Sequence, residues 1–231
     1  MKFVAEIGLN HDGNFDIAYE LIRKAKQSGA NIAKFQFGWR NKPNEINYIT
    51  EDIALHLKKM CDFQNIEMLA SVIDDDGLKL SQTIGLKRLK IASRTVTERP
   101  DLCKKILSEH KKVYCSLGFW KSKKFPFGEP NKNLKYIFCI SKYPTYPESI
   151  NELPFVFNNE NYYGYSDHTH GIATPIIAIS RGAKFIEKHF TLNKTSQVIR
   201  DHILSATPDE FSDLVKYGSE INKIINFNEK K

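Results

Sequence analysis

The sequence has no long apolar run and few cysteines, and each absence excludes a class of protein. No stretch of about 18 consecutive apolar residues occurs, which excludes a membrane-spanning helix. Residues 1–10 lack the charged, apolar and cleavable pattern of a signal peptide, so we expect a cytoplasmic protein. The 4 cysteines are far apart with no CxxC pair, which indicates buried, reduced thiols and excludes a clustered zinc site or disulfide framework.

The composition is that of a folded domain with a positive charge. Hydrophobic residues make up 41% of the 231 residues and charged residues 26%, which predicts one domain over 1–231 with its own core. The 34 basic and 27 acidic residues give a net charge of +7, which suits a polyanionic partner. Aromatic residues are not interleaved with the basic runs, so we expect no nucleic acid and no membrane as partner. A small polyanionic substrate remains, and solvated lysines account for most of the charge.

Short apolar segments recur along the chain and predict eight strands. Several are continuous apolar runs, which is typical of parallel strands covered on both faces. The predicted strands are Phe3–Ile7, Ile32–Phe37, Met68–Val72, Leu89–Ala92, Val113–Ser116, Tyr136–Ile140, Tyr162–Ser166 and Phe185–Phe190. Each strand–helix unit then has about 29 residues, which predicts a compact (β/α)8 TIM barrel. A doubly wound open sheet fits the same alternation and is the alternative fold.

Helix signals lie between the predicted strands. Asn14 can cap a helix that stops at Ser28-Gly29, and a second helix is predicted from Glu51 to Phe63. Residues 207–210, Thr-Pro-Asp-Glu, form a capping box that starts the last helix. Residues 120–130 have no helical period and contain two prolines, so we expect a loop in place of the helix after strand five.

Polar residues collect where the predicted strands end, which is where a barrel of this kind carries its functional groups. Lys34 and Lys90 lie in otherwise apolar strands, and a lysine there must meet either an anionic ligand or a carboxylate such as Glu6 or Glu187. Four serines at the same ends can complete a phosphate or carboxylate cradle. These are Ser71, Ser93, Ser116 and Ser166.

Two histidines occupy matching positions one strand–helix unit apart. His168 and His189 follow strands seven and eight, so both can reach one divalent metal ion, with Glu6 or Asp201 nearby. Neutral imidazoles with carboxylates suit a borderline ion such as manganese and leave positions open for water or substrate. Other histidines compete with this pair. They are His11, His170 and His202.

Six motifs at the strand ends, in this order, resemble the sialic acid synthase family, the NeuB-like nonulosonate synthases. The resemblance covers about Lys2 to Phe211. The motifs are Ala5-Glu6-Ile7-Gly8-Leu9-Asn10-His11-Asp12-Gly13, Lys34-Phe35-Gln36, Lys90-Ile91-Ala92-Ser93, Ser141-Lys142-Tyr143-Pro144, Gly164-Tyr165-Ser166-Asp167-His168-Thr169 and Ile186-Glu187-Lys188-His189-Phe190-Thr191-Leu192.

The resemblance implies a transferase that condenses phosphoenolpyruvate with an open-chain amino sugar. The acceptor would be N-acetylmannosamine or a related 2,4-diacetamido hexose, and the products a sialic, legionaminic or pseudaminic type of nonulosonic acid and phosphate. It also implies a homodimer and a divalent metal, Mn²⁺ first and Mg²⁺ or Co²⁺ as substitutes, which polarises the aldehyde.

The resemblance also assigns roles to matching positions in this chain. Phosphoenolpyruvate would be held by Lys34, Ser71, Lys90, Ser93, Ser116 and Ser166. The metal would be bound by His168 and His189, and the sugar would be faced by Glu6, Gln36, Tyr143 and Asp201.

The sequence departs from the family pattern around these positions. Arg94 stands where the family has glycine, and Lys142 where it has asparagine, so each is predicted either to add a substrate contact or to obstruct one. We expect this chain to be the barrel domain alone, without the family's C-terminal antifreeze-like domain, which supplies an arginine to the sugar. We therefore expect a separate cap protein, or Arg94 or Arg200 in place of that arginine.

Two other functions remain open on the sequence. One is a NeuB-like barrel that binds a sugar, a phosphate or a partner subunit without turnover. The other is a different phosphoenolpyruvate or aldol-type condensation with another aldose.

Overall fold

Eight parallel strands form a closed barrel in the computed structural model, which describes residues 1–110 and 112–228. Each strand pairs with the next along the chain, and the first pairs with the last, so the open-sheet alternative is excluded. The strands are β1 (Lys2–Glu6), β2 (Ile32–Phe37), β3 (Glu67–Val72), β4 (Leu89–Ile91), β5 (Val113–Ser116), β6 (Leu134–Cys139), β7 (Tyr162–Asp167) and β8 (Phe185–His189). The predicted (β/α)8 barrel is confirmed.

Helices cover the outside of most of the barrel. They are α1 (Phe15–Gln27), α2 (Glu51–Phe63), α3 (Asp75–Thr83), α4 (Ser93–Glu98), α5 (Pro100–Glu109), α6 (Ala173–Ser180) and α7 (Pro208–Asn228), with 3-10 helices at Pro147–Glu152 and Arg200–Leu204. The predicted cap is confirmed at Asn14, whose side chain accepts the Asp16 amide. Among the described helices, none is both long and apolar enough to cross a membrane.

The segment between β5 and β6 contains no helix, as predicted, and an aromatic loop covers the barrel there. Phe125 stacks on Tyr136 with ring centroids 4.3 Å apart and planes within 5° of parallel. The Tyr136 hydroxyl donates to the Gly128 carbonyl at 2.9 Å and accepts the Phe127 amide at 3.1 Å. One buried tyrosine thus holds the loop on the strand.

Between β6 and β7 the expected α-helix is also absent. Only the 3-10 helix Pro147–Glu152 lies there, whereas two short helices, α4 and α5, follow β4. The missing helix after β6 and the doubled helix after β4 are features that the sequence did not predict. The barrel is therefore less evenly covered near β6 than elsewhere.

The barrel interior changes from apolar to polar along each strand. Side chains two residues apart on a strand point to the same face. Six inward-facing positions form an apolar layer, and the positions two residues later on the same strands form a second layer nearer the carboxyl ends. The apolar set is Val4, Ile32, Leu69, Tyr114, Ile137 and Phe185. The set two residues later is Glu6, Lys34, Ser71, Ser116, Cys139 and Glu187, and all of these are buried. The apolar set therefore plugs the barrel beneath a polar floor.

Candidate active site

A cavity of about 160 Å³ opens at the carboxyl ends of the strands, and the polar set forms its floor. This is the face where the sequence predicted the functional groups. The predicted site residues that line the cavity are Glu6, Lys34, Gln36, Ser71, Lys90, Ser93, Arg94, Ser116, Tyr143, Ser166, His168, His189 and Asp201. Lys142 is exposed and does not line the cavity, so the structure does not bring it to the predicted substrate site.

Four buried charges form one network on the cavity floor. Lys34 Nζ lies 2.6 Å from Glu6 Oε2 and 3.7 Å from Glu187 Oε2. Lys90 Nζ lies 2.6 Å from Glu187 Oε1. The two lysines and two carboxylates balance one another, as buried charges must. The pairing that the sequence left open is thus present, and the anion-binding role of the lysines stays a prediction.

The two carboxyls respond differently to this network. Burial raises the pKa of the Glu6 carboxyl and outweighs its attraction to Lys34. Burial acts on Glu187 as well, but Lys34 and Lys90 outweigh it and lower the Glu187 pKa to about 2. Burial also opposes the charge on Lys34, yet Glu187 and Glu6 raise the Lys34 pKa. Glu187 is therefore a firmly ionised carboxylate, and Glu6 is the group of the floor that can more readily hold a proton.

The four serines that line the cavity among the predicted site residues differ in what their hydroxyls can offer a ligand. Ser71 Oγ accepts from Lys34 Nζ at 2.9 Å, and Ser93 Oγ accepts the Gly118 amide at 2.9 Å, so both keep a proton to donate. Ser116 Oγ is buried and has no hydrogen-bond partner among the described residues. Ser166 Oγ donates to Glu187 Oε1 at 2.6 Å, so its proton is already committed.

The two predicted histidines meet at one side of the cavity. Their ring centroids are 5.5 Å apart, and Tyr143 lies against both, 4.2 Å from His168 and 6.3 Å from His189. His168 Nδ1 lies 2.9 Å from the Ile140 carbonyl oxygen, which only accepts, so Nδ1 carries a proton and Nε2 is the nitrogen that could bind a metal ion. Burial lowers the pKa of His189, which favours a neutral ring, and its Nδ1 is buried without a partner among the described residues.

These two rings fit a metal ion with two protein ligands. The Nδ1 proton of His168 is held by a backbone carbonyl, which leaves Nε2 as the possible ligand atom, and His189 Nδ1 is buried without a partner among the described residues. In residues 1–110 and 112–228 no group of three or more His, Cys, Asp or Glu side chains could hold an ion. Substrate or water would therefore complete the coordination, which is typical of a catalytic site with open positions.

The competing histidines lie outside the cavity and have structural partners. His11 lies 3.1 Å from Asn47 and stacks on Phe15, and His202 bonds to Asp12 at 2.8 Å. His170 is exposed and contacts the Ile203 carbonyl. The structure therefore favours His168 and His189 as the ligand pair.

Two guanidinium groups lie at the mouth of the cavity, each over an aromatic ring. Arg94 Cζ lies 5.4 Å from the centroid of Trp39, and Arg200 Cζ lies 4.9 Å from that of Tyr143. All four residues line the cavity. Their carboxylate contacts are long, 3.5 Å from Arg94 to Glu98 and 3.5 Å from Arg200 to Asp201. Such stacking keeps the charge in place while leaving N–H groups open.

The sequence reasoning missed several lining residues. Glu187 was considered only as a partner for the lysines, and Cys139 only as an inert thiol, yet Cys139 Sγ lies 3.8 Å from His168 Nδ1. Counting back two residues from His189 along β8 finds Glu187, because the two share the inward face. Trp39 and Phe119 lie in loops, where no such rule applies.

Comparison with known proteins gives a consistent result. An uncharacterised protein of Methanocaldococcus jannaschii is 33% identical over 248 residues, covering 98% of this chain and 72% of that protein. The N,N'-diacetyllegionaminic acid synthase of Legionella pneumophila is 28% identical, covering 99% of this chain and 74% of the synthase. The crystal structure of the N-acetylneuraminic acid (sialic acid) synthetase of Leptospira borgpetersenii superposes with a TM-score of 0.80 at 28% identity, covering 96% of this chain and 84% of the other.

The fold and the cavity define a (β/α)8 barrel with a polar ligand site at the carboxyl ends of its strands. The sequence profile of the NeuB family matches residues 41–230. This chain belongs to the NeuB family.

Proposed function

We propose that this chain condenses phosphoenolpyruvate with the open-chain aldehyde of an N-acetylated amino sugar, giving a nonulosonic acid and phosphate. The observation that carries the proposal is the meeting in one cavity of two buried lysines, three serines with a proton to donate, and two histidines. The names of the Legionella and Leptospira relatives, both synthases of such acids, support the same reaction class.

The half of the barrel from β2 to β5 suits the phosphoenolpyruvate. Lys34 and Lys90 supply positive charge there, and Ser71, Ser93 and Ser116 can donate hydrogen bonds to phosphate or carboxylate oxygens. Because these groups are held by the strands and by one another before a ligand arrives, they cost little reorganisation in the transition state.

The other half, from β6 to β8, suits the acceptor aldehyde. Burial raises the pKa of Tyr143 well above its ordinary value, so the phenol stays protonated and can donate to a sugar oxygen. His168 and His189 would hold a divalent metal ion, Mn²⁺ in our proposal, which when bound supplies Lewis-acid polarisation of the aldehyde. Glu6 on β1, next to β8 in the closed barrel, accepts a 2.8 Å hydrogen bond from Gln36 on β2, and we place both against sugar hydroxyls.

The bond changes follow from this arrangement. C3 of phosphoenolpyruvate forms the carbon–carbon bond to the aldehyde carbon, a water oxygen adds at C2, and the C2–O bond to phosphate breaks. The residues of the two halves hold C3 and the aldehyde carbon against each other, and this orientation is a large part of such catalysis. The floor lysines and serines keep the phosphate in place until it leaves.

Phosphate release tests the proposal directly. The purified chain is incubated with phosphoenolpyruvate and a panel of 2-acetamido and 2,4-diacetamido hexoses, with Mn²⁺ or with EDTA. We expect release with at least one sugar, loss of release in EDTA, and loss in His168→Ala and His189→Ala. His170→Ala, which removes an exposed histidine outside the cavity, is the matched control and should keep full activity.

Two results would contradict the proposal. Binding of phosphoenolpyruvate and sugar without release for any member of the panel would favour a binding protein. Release that is independent of added sugar would indicate simple hydrolysis.

A further inference from the structure

A lysine and an aspartate are buried as an ion pair beside the two cavity histidines. Asp167 ends β7 directly before His168, and Lys188 directly precedes His189 in β8. Both histidines line the cavity, so the side chains one residue earlier point to the outer face of the barrel wall. Lys188 is 0% exposed and Asp167 1%. A buried ion pair adds little net stability compared with apolar residues of similar volume, so stability alone does not account for this pair.

Lys188 bonds to the residues on both sides of His168. Its Nζ lies 2.6 Å from Asp167 Oδ2 and also donates to the Thr169 carbonyl. Asp167 Oδ1 in turn accepts the Thr169 amide at 3.1 Å and the Thr169 hydroxyl at 2.8 Å. The backbone around His168 is thus tied to one ammonium group on the neighbouring strand.

These bonds lie where the pairing of β7 with β8 stops. The last residues of the two strands in register are Asp167 and Lys188, and Thr169 lies beyond them. By donating to the Thr169 carbonyl, the Lys188 ammonium supplies there a bond that a backbone amide supplies within the sheet. Because Lys188 is one residue from His189, the same group connects the two chain segments that carry the histidines.

The opposite side of His168 is held by the segment after β6. The Thr145 amide donates to the His168 carbonyl at 2.8 Å. The Ile140 carbonyl oxygen lies 2.9 Å from His168 Nδ1 and accepts its proton. His168 is therefore fixed from both neighbouring strands, by backbone groups that follow β6 and by Lys188 on β8.

The Asp167 carboxylate also has a partner on its own strand. The Tyr165 hydroxyl donates to Asp167 Oδ1 at 2.8 Å. Burial and the Asp167 charge raise the pKa of Tyr165, so the phenol keeps the proton that it donates. Both oxygens of the carboxylate thus accept hydrogen bonds, and a buried polar network with its partners satisfied is rigid.

We infer that Lys188 and Asp167 are positioning residues that hold His168 and His189 at the separation at which both rings bind one divalent metal ion. This inference rests on the proposed function for the histidines as metal ligands. Lys188 and Asp167 themselves face away from the cavity and act through the backbone that carries the two rings. Removal of the pair should therefore weaken metal binding while the barrel stays folded.

Titration of Co²⁺ into the metal-free wild type and into variants tests the inference without substrate, because bound Co²⁺ has visible absorption bands that depend on its ligands. The test variant is Asp167→Asn/Lys188→Met, which removes both charges together. Lys188→Met alone would leave the Asp167 carboxylate buried and unpaired. We expect the double variant to unfold cooperatively in urea, as the wild type does, and its dissociation constant for Co²⁺ to rise about 10- to 100-fold.

Arg88→Met/Glu67→Gln is the matched control, because it removes an ion pair of 3.1 Å at the amino ends of β3 and β4, away from the histidines. It should keep the wild-type dissociation constant for Co²⁺. His168→Ala should lose the Co²⁺ bands, which assigns the bands to the histidine pair.

Several results would overturn the inference. One is a wild-type dissociation constant for Co²⁺ in Asp167→Asn/Lys188→Met, and another is an equal rise in Arg88→Met/Glu67→Gln. A third is a double variant that does not fold, because the pair would then be required by the fold and not by the histidines. Co²⁺ bands that are missing from the wild type, or that persist in His168→Ala, would overturn it as well.

Phosphate release from phosphoenolpyruvate reports separately on the proposed function. Weaker Co²⁺ binding in the double variant, together with no release by the wild type with any sugar, would contradict the function and leave the inference standing. Release in which the double variant needs no more Mn²⁺ than the wild type for half its maximal rate would support the function and overturn the inference.

Discussion

Three donors surround one carboxylate at Glu187. Lys90 Nζ and Ser166 Oγ both lie 2.6 Å from Oε1, and Lys34 Nζ lies 3.7 Å from Oε2. Because Glu187 is almost completely buried and ionised, it cannot turn to water when a partner is removed. A buried ion pair adds little net free energy of unfolding, but removal of one partner is costly because the other charge is left buried and unpaired.

The substitution Lys90→Met should therefore destabilise the fold strongly. It leaves Glu187 buried with one lysine partner fewer, and we expect a loss of about 3 to 5 kcal/mol in the free energy of unfolding, measured by urea titration at pH 7. The double variant Lys90→Met/Glu187→Gln should lose less than the sum of its single variants. Lys105→Met, which removes a lysine 3.6 Å from Asp75 at the surface, is the control and should change stability by less than about 0.5 kcal/mol. A similar small change in Lys90→Met would contradict this account.

The substitution Ser116→Ala distinguishes a role of this hydroxyl in substrate binding from a role in stability. Its hydroxyl is buried and has no partner in the described residues, so Ser116→Ala should change the free energy of unfolding by less than about 1 kcal/mol. If the hydroxyl donates to phosphoenolpyruvate, the same change should raise the KM for that substrate about tenfold. Ser81→Ala is the control for the kinetic measurement, because it removes a buried hydroxyl that donates to the Leu78 carbonyl in α3, away from the cavity. It should keep the wild-type KM. An unchanged KM in Ser116→Ala would remove Ser116 from the site.

At the scale of elements, the capping box of α7 shows how a local signal fixes a boundary. The Thr207 amide donates to Glu210 Oε2 at 2.9 Å, and the Glu210 amide donates to Thr207 Oγ1 at 3.4 Å. Lys194 Nζ also donates to Glu210 Oε1 at 2.5 Å. Burial opposes the charge on Glu210, but these partners outweigh it and lower its pKa below the ordinary value of 4.5.

The contribution of Glu210 to stability should depend on pH in a defined direction. Its pKa is lower in the folded chain, so the contribution is fully present above about pH 4.5 and is lost as the pH falls through the folded pKa. Glu210→Gln should cost about 0.5 to 1 kcal/mol at pH 7, and the difference from the wild type should shrink in acid. Urea titrations across this range measure it, with Glu220→Gln on the same helix as the control. A difference independent of pH would show that the charge is not involved.

Strands and helix ends were predictable because their signals are local. All eight predicted strands are present, with bounds within two residues, since buried parallel strands are continuous apolar runs. The helix Glu51–Phe63 has the predicted bounds. The double helix after β4 and the 3-10 helix after β6 were not predicted, because their form depends on how the neighbouring elements leave room outside the barrel.

For the whole molecule, the part of the candidate site that lies on the strands was predictable from the sequence. Each strand contributes inward side chains at a two-residue spacing, so the closed barrel brings together lysines, serines and histidines that are distant in sequence. The loops follow no such rule, which is why Trp39 and Phe119 were missed and Lys142 was expected at a cavity that it does not line. Pairing of Lys34 and Lys90 with carboxylates was left open, because sequence alone does not show which side chains meet.

Hydrogen exchange should show the uneven covering of the barrel. Amides in β1 to β8 are buried and paired on both sides, so they should exchange only in global unfolding. Peptides from residues 118–130 lack a helix and should exchange orders of magnitude faster than the peptide covering α2, Glu51–Phe63, measured by mass spectrometry at pH 7. Equal protection of the two peptides would contradict this reading of the loop.

Because β1 pairs with β8, the barrel can close only after the last strand has been synthesised. A growing chain leaves the ribosome with β1 exposed along one edge, and that edge has no partner until residues 185–189 emerge. Until then Lys34 has Glu6, but Lys90 lacks Glu187, the carboxylate 2.6 Å from it, which comes from the far end of the chain. An unfinished barrel therefore carries two open strand edges and an unbalanced buried charge, which makes it prone to aggregation and a substrate for chaperones.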